Sequence, residues 1–329
     1  MKRILILRGG ALGDFIVTLP VLAALRRQWP DAELHLAVRP TFGRLALAAD
    51  LAHAVIPLES ARLSRFFADA PEFTPEEAAF VRSLDLAVSF LADGDGVVER
   101  NMRRLGLRRW LAVPSRVEQG HATDHFLAPL LQTGLVEPAW VDPVPRLVLN
   151  SAQVEPARMR LAAMGAGPGL YAILHPGSGS PAKNWPAEGF LAVARGLWER
   201  RGLRPVFLAG EADRAVVRRL RDLGAPYPIL EDLDLDEVAS LLSMARVYVG
   251  NDSGISHLAA ALGAPSVVVF GPTDPARWAP RGLCVRVVRS NPATAQGLQT
   301  LPSDSVFRNV LDVIEEGNWR GANGTRFSG

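Results

Sequence analysis

The chain has 329 residues, 36 lysines and arginines against 34 aspartates and glutamates, a net charge of +2, and one cysteine, Cys284. That length suits two domains of about 100–200 residues each. A lone cysteine excludes an intramolecular disulfide and fits a reducing compartment. No apolar run reaches the roughly 18 residues that a membrane span needs, and no Cys/His cluster has zinc-site spacing.

Taken in chain order, short apolar runs alternate with helical patterns. Arg3–Leu7 reads as a buried first strand, because Gly9, Gly10 and Asp14 follow it where a signal peptide would continue its apolar run. Residues 15–29 read as one helix with Pro20 near its first turns. Strands are expected at 33–38 and 84–90. Residues 137–169 are rich in proline and glycine and read as the hinge, with a short helix over 154–164 inside it. The alternation then restarts, with strands at 170–174, 204–208, 247–250 and 266–270. Helices are expected at 186–200, 236–244, 255–262 and 303–316, and the tail from Gly317 is polar and expected to be loose. Strand, helix, strand with short loops is the pattern of a parallel sheet covered on both faces, an α/β fold. The expected division is an N-terminal Rossmann-like domain over 1–150, a linker over 151–169, a C-terminal Rossmann-like domain over 170–302, a last helix over 303–320 and a tail over 321–329.

Open parallel sheets bind ligands at the carboxyl ends of their strands. Four loops there carry suggestive residues. After the first strand comes Arg8-Gly9-Gly10-Ala11-Leu12-Gly13-Asp14, whose spacing is not that of a dinucleotide fingerprint. Asp14 reads from position alone either as a helix N-cap or as a functional carboxylate. The second loop runs from His175 to Pro186 and includes Ser178, Gly179 and Lys183. Only Lys2 and Lys183 are lysines, so Lys183 stands out among arginines. The loop reads either as a surface loop or as a phosphate cradle of backbone N–H groups, hydroxyls and one point charge. The third is Leu208-Ala209-Gly210-Glu211, where Glu211 is a helix cap or a ribose ligand. The fourth is Gly250 to His257. Asp252 or Ser253 caps a helix there, or the N–H groups of Ser253, Gly254 and Ile255 form an anion nest, and His257 is a site residue or a satisfied core histidine.

The densest basic stretch contains Arg100, Arg103, Arg104, Arg108, Arg109 and Arg116. It is a solvated helix face or a surface that attracts an anionic acceptor or membrane. Trp110 is the only aromatic residue within it, where a nucleic-acid platform would stack successive bases on several, so no nucleic acid is expected.

Taken together, these segments resemble the lipopolysaccharide heptosyltransferases of glycosyltransferase family 9. The resemblance rests on residues 4–8 with Leu12-Gly13-Asp14 and Thr18-Leu19-Pro20, then on His121-Ala122-Thr123-Asp124. It continues in His175-Pro176-Gly177-Ser178 with Lys183-Asn184-Trp185-Pro186, in Asn251-Asp252-Ser253-Gly254 with His257-Leu258, in Gly263-Ala264-Pro265, and in Phe270-Gly271-Pro272-Thr273. It implies a GT-B fold, two Rossmann-like domains facing across a cleft, with the last helix crossing back to the first domain. It also implies inverting transfer of a heptose from ADP-heptose to an anionic lipopolysaccharide-core acceptor, in the cytoplasm or at the inner face of the inner membrane. Asp14 would be the general base. Lys183, the Ser178–Gly179 loop, Glu211 and residues 252–257 would hold the donor. Gly13, Arg62 and Arg65 are the expected acceptor contacts. Asp93-Gly94-Asp95 spells a metal motif but reads as a structural loop, so no metal or other cofactor is expected. The alternatives are another nucleotide sugar or acceptor in the same family, a sugar-nucleotide epimerase of the same fold, an NADP oxidoreductase, and a non-catalytic binding protein.

Overall fold

A computed structural model describes residues 1–316, so the expected tail and residues 317–320 of the expected last helix lie outside the described residues. The chain divides into two compact units, Met1–Pro143 and a second unit starting at Val144.

The first unit holds five parallel strands: β1 (Arg3–Leu7), β2 (Glu33–Val38), β3 (Ala54–Pro57), β4 (Leu86–Ser89) and β5 (Trp110–Ala112). Their order is β3-β2-β1-β4-β5. β1 is central, with Ile4 opposite Leu34 on one side and Leu86 on the other. Strands covered on both faces need apolar residues at consecutive positions, and Ile4 to Leu7 are all fully buried. The chain leaves β1 toward β2 and later returns to β4 on β1's other flank. The order therefore reverses beside β1, where open sheets carry their ligand loops. The loop from Arg8 to Asp14 emerges there.

The helix expected over 15–29 is two helices, Leu12–Ile16 and Leu19–Gln28. Pro20 is the reason. It has no N–H to continue a helix from the preceding turn, and it fits near the start of a new one.

The second unit repeats the design with six parallel strands: β6 (Tyr171–His175), β7 (Arg204–Ala209), β8 (Ile229–Glu231), β9 (Val247–Asn251), β10 (Ser266–Phe270) and β11 (Val285–Arg289). Their order is β11-β10-β9-β6-β7-β8. Here the order reverses between β6 and β9, which pair directly with His175 opposite Gly250. The second and fourth loops of the sequence reading thus flank one crevice position.

Two expectations are corrected. The stretch 151–169 is not a linker, because the boundary falls at Pro143. Asn150 Oδ1 accepts the N–H of Gln153 at 3.1 Å and caps a 13-residue helix, Ser151–Ala163. That helix packs on the helix Leu235–Met244, to which Ser240 Oγ adds a bond to the Gln153 carbonyl at 2.8 Å. The last helix, Ser303–Glu316, was expected to spend its apolar face on the N-terminal domain. Instead Val306, Phe307, Val310, Val313 and Ile314 belong to the core of the second unit, against the helix Ala187–Arg201 and strands β9–β11. Gly196 admits the Phe307 ring, since a β-carbon there would stand 2.8 Å from it. Phe307→Ala is therefore expected to destabilise the second unit by about 3–5 kcal/mol, as for other buried aromatic truncations. Urea unfolding checks this, and an unchanged midpoint would detach the helix from that core.

Candidate active site

In the first unit the N-terminal site grows from the sharp exit of β1. Gly10 has φ +93°, and a β-carbon there would stand 2.6 Å from Asp14 Oδ2. Glycine is needed twice over, for the backbone and for the room that the carboxylate takes. Asp14 is not the N-cap of its helix. It is the third residue, and its Oδ2 reaches back to accept the Ala11 N–H at 2.9 Å. Oδ1 faces Arg8 Nη2 at 3.5 Å, and the side chain keeps 35% of its surface open to solvent. A half-buried carboxylate held at both oxygens is fixed in place yet reachable.

The C-terminal site is built around the β6–β9 crossover. Asn251, fully buried at the end of β9, donates its Nδ2–H to the Pro176 carbonyl at 2.8 Å and accepts the Trp185 N–H at Oδ1 at 3.0 Å. One amide thus pins both ends of the 176–185 loop. Trp185 anchors the far end, with its ring buried edge-on to Phe190 and Nε1 donating to the Leu301 carbonyl at 3.1 Å. Within the loop Ser178 Oγ donates to Asn184 Oδ1 at 2.6 Å and accepts the Ser180 N–H at 3.2 Å. Lys183 then lies with Nζ 2.8 Å from Asp252 Oδ2. Ser253 caps the helix Gly254–Ala261 by accepting the Ser256 N–H at 3.3 Å. The first N–H groups of a helix have no partner within it, so Gly254 and Ile255 present donors beside Lys183's partner.

A second buried cluster braces this site. His175 Nε2 is 3.3 Å from Asp213 Oδ2, and His175 Nδ1 is 3.5 Å from Ser253 Oγ. Asp213 Oδ2 also accepts the Gly210 N–H at 2.9 Å. Gly177 is required here, since a β-carbon would stand 1.8 Å from Asp213 Oδ1. Burial alone would raise the Asp213 carboxyl, but the bonds from His175 and Gly210 outweigh it and hold the group below the usual carboxylate value.

Residues 141–301, the span that contains this whole crossover, match the model of glycosyltransferase family 9 (heptosyltransferase). Residues 141–301 are a glycosyltransferase family 9 domain. The chain is 27% identical to lipopolysaccharide heptosyltransferase 1 of Escherichia coli (strain K12), over 94% of this chain and 100% of that protein. Among solved structures it is similar to a family 9 glycosyl transferase from Veillonella parvula (TM-score 0.79, 18% identity, 96% and 98% of the two chains). It is also similar to the E. coli ADP-heptose heptosyltransferase II (TM-score 0.75, 18% identity, 96% and 99% of the two chains). The fold of this glycosyltransferase is therefore GT-B, with a Rossmann-like sheet in each unit.

The remaining expected residues of the glycosyltransferase divide by what they touch. Gly13 lies in the Asp14 helix, where its carbonyl accepts the Val17 N–H. Gly179 is open, with no atom near where a β-carbon would sit. Glu211 is 86% exposed beside Arg214, which leaves its carboxylate open to a ligand. His257 is buried in the helix behind Ser253. Arg62 lies over the Phe80 ring at 4.7 Å, and Arg65 Nη1 bonds both carboxylate oxygens of Glu77 at 3.1 Å. Both expected acceptor arginines thus already have partners within the unit. The Asp93-Gly94-Asp95 loop is a cap: the two Asp93 oxygens accept the N–H groups of Val98 and Glu99 at 3.2 Å. No group of three or more metal-ligating side chains stands together among the described residues.

The sequence reading passed over Asp213 and did not pick out Arg8 and His175 as site residues. Asp213 lies two residues beyond the chosen Glu211, and only the fold shows which carboxylate turns inward. An acid titration tests its buried bonding. The unfolded chain takes up this proton first, so stability is present above the ordinary value of 3.8 and is lost as pH falls toward the lower folded value. Asp213→Asn should be less stable at neutral pH, with a Tm that falls less steeply than wild type from about pH 5 to about pH 3. Parallel slopes would assign the acid loss elsewhere.

Proposed function

We propose that this enzyme transfers a heptose from ADP-heptose to a lipopolysaccharide-core acceptor by a single inverting displacement, with Asp14 as general base. The observation that carries the reading is the β6–β9 crossover, where Lys183, the Ser178 loop and the start of the helix Gly254–Ala261 converge. The names of the two E. coli relatives support the sugar, the nucleotide and the acceptor class.

The chemistry assigns each part a task. Asp14 takes the proton of the acceptor hydroxyl as its oxygen bonds to the anomeric carbon. The bond from that carbon to the diphosphate breaks, and its electron pair leaves on ADP. Attack from the face opposite the leaving group inverts the configuration. Negative charge grows on the diphosphate, and donors already aimed there stabilise it without reorganising. Lys183 supplies a positive charge to it, the N–H groups of Ser253 to Ile255 supply dipoles, and Ser178 and Gly179 let backbone come close. Glu211, exposed just after β7, accepts the ribose hydroxyls in this reading. The acceptor is anionic, so contact with a membrane surface fits the basic stretch from Arg100 to Arg116.

Two measurements test this reading. A thermal-shift series with ADP, GDP, UDP and ADP-heptose should show stabilisation by the adenine nucleotides alone, about 2.7 kcal/mol at a hundred times Kd. Lys183→Ala should weaken that response. A preference for UDP or GDP would overturn the heptose assignment, and equal ADP affinity in the variant would remove Lys183 from the phosphate. Asp14→Asn should keep donor affinity and lose about 10²- to 10⁴-fold in kcat, whereas undiminished turnover would remove Asp14 from the base role.

A further inference from the structure

Arg8 follows β1 directly, and its side chain is only 3% exposed. Its Cζ stands 4.6 Å from the centre of the Phe126 ring and 5.5 Å from that of Phe90. Nε and Nη2 both donate to the backbone carbonyl of Asp14, at 3.0 and 2.8 Å. Thr18 Oγ1 donates to the same carbonyl at 2.8 Å. Nη2 is also the group that faces Asp14 Oδ1.

A buried guanidinium is costly, and an apolar side chain of similar volume often fills such a space with equal or greater stability. Burial pushes the Arg8 pKa down to about 10, with the charge of Asp14 opposing the shift. Packing between two phenylalanines does not call for a cation. What a cation with a planar fork adds is directed at one residue: two bonds that converge on the carbonyl oxygen of Asp14 and a positive charge opposite its carboxylate.

We propose that Arg8 is a positioning residue for Asp14, gripping it through its backbone carbonyl and facing its carboxylate so that the proton is accepted from one fixed place. The proposal rests on the reading of Asp14 as the base. Arg8 transfers nothing itself. The proton moves from the acceptor hydroxyl to the Asp14 carboxylate and from there to water, which returns the base to its starting state. Lysine keeps the charge but cannot make the fork, so the two contributions separate by substitution.

The test uses steady-state transfer from ADP-heptose to a heptose-free core lipopolysaccharide, with wild type, Arg8→Met, Arg8→Lys, Asp14→Asn and the double variants. Arg8→Met is expected to lower kcat by about ten- to a hundredfold, as a small misplacement of a reacting group does, with donor KM changed by less than about twofold. Arg8→Lys should recover part of the loss. On the Asp14→Asn background, either substitution at Arg8 should cost less than about twofold more. The proposal is overturned if both Arg8 variants keep wild-type kcat, or if the Arg8 loss multiplies in full with that of Asp14→Asn. Undiminished turnover in Asp14→Asn sinks the base reading itself, and this proposal with it. Should Arg8→Met fail to fold, Arg8→Lys carries the test alone: a lowered kcat that disappears on the Asp14→Asn background supports the proposal, and wild-type kcat refutes it.

Discussion

The site at the β6–β9 crossover depends on one buried amide, that of Asn251. Its two hydrogen bonds run to the Pro176 carbonyl and from the Trp185 N–H, so the end of β9 holds both ends of the loop that leaves β6. A buried polar group of this kind is costly when unpaired and specific when paired. The residues between those ends are turn-formers, one alanine and one lysine, and since Pro181 and Ala182 are exposed, no buried apolar side chain anchors them. Without the amide, nothing in their composition would hold Lys183 against Asp252. With it, a loop that reads as flexible becomes part of a fixed surface. The parallel pairing of β6 with β9 supplies the rest, because it brings the end of β9 beside the origin of the loop.

Two carboxylates then exploit glycine in the same way in separate units. Asp14 occupies the space that a side chain at residue 10 would fill, and Asp213 does so at residue 177. Each glycine lies in the loop that follows the central strand of its sheet. Close approach there lets a carboxylate reach backbone N–H groups and a cationic or imidazole partner at once. The consequences differ. Asp213 is enclosed and braces His175 under Ser253, while Asp14 keeps a face toward solvent. An enclosed carboxylate does structural work, and an open one is available for chemistry.

This contrast also explains what could be read from the residues alone. The central strands β1, β6, β9 and β10 are legible because burial on both faces demands nearly unbroken apolar runs, and β2 is legible from Leu34, Leu36, Ala37 and Val38 despite Glu33 and His35. The edge strands β3, β5, β8 and β11 are partly exposed, and all but β11 are short, so their composition blends into loops and they were missed. The helix Ser151–Ala163 was expected only over 154–164, because Pro156 and apolar residues that form no single stripe obscure its start. The loops after β1, β6, β7 and β9 were found because strand ends are where glycine, serine and charge have no other reason to gather. Their inward partners were not. Whether Glu211 or Asp213 turns toward His175 depends on a single turn of 3-10 helix after β7. Whether Asp14 caps its helix or sits in its first turn depends on where the preceding glycines end the extended chain.

The two sides also handle charge by different rules. Lys183 is already neutralised by Asp252 at 2.8 Å, so an arriving diphosphate does not meet a bare cation. To gain Lys183 it must compete with a carboxylate and leave that carboxylate near its own negative charge. Under the proposed function, attraction at this site therefore cannot rest on the lysine alone. The helix N–H groups at Ser253 to Ile255 must supply a term that Asp252 does not cancel, because they are fixed dipoles and carry no counter-charge. Lysine that leaves Asp252 as charge develops on the leaving group would then contribute more late in the reaction than on first binding. That is the condition under which an electrostatic contact raises kcat rather than merely tightening the ground state.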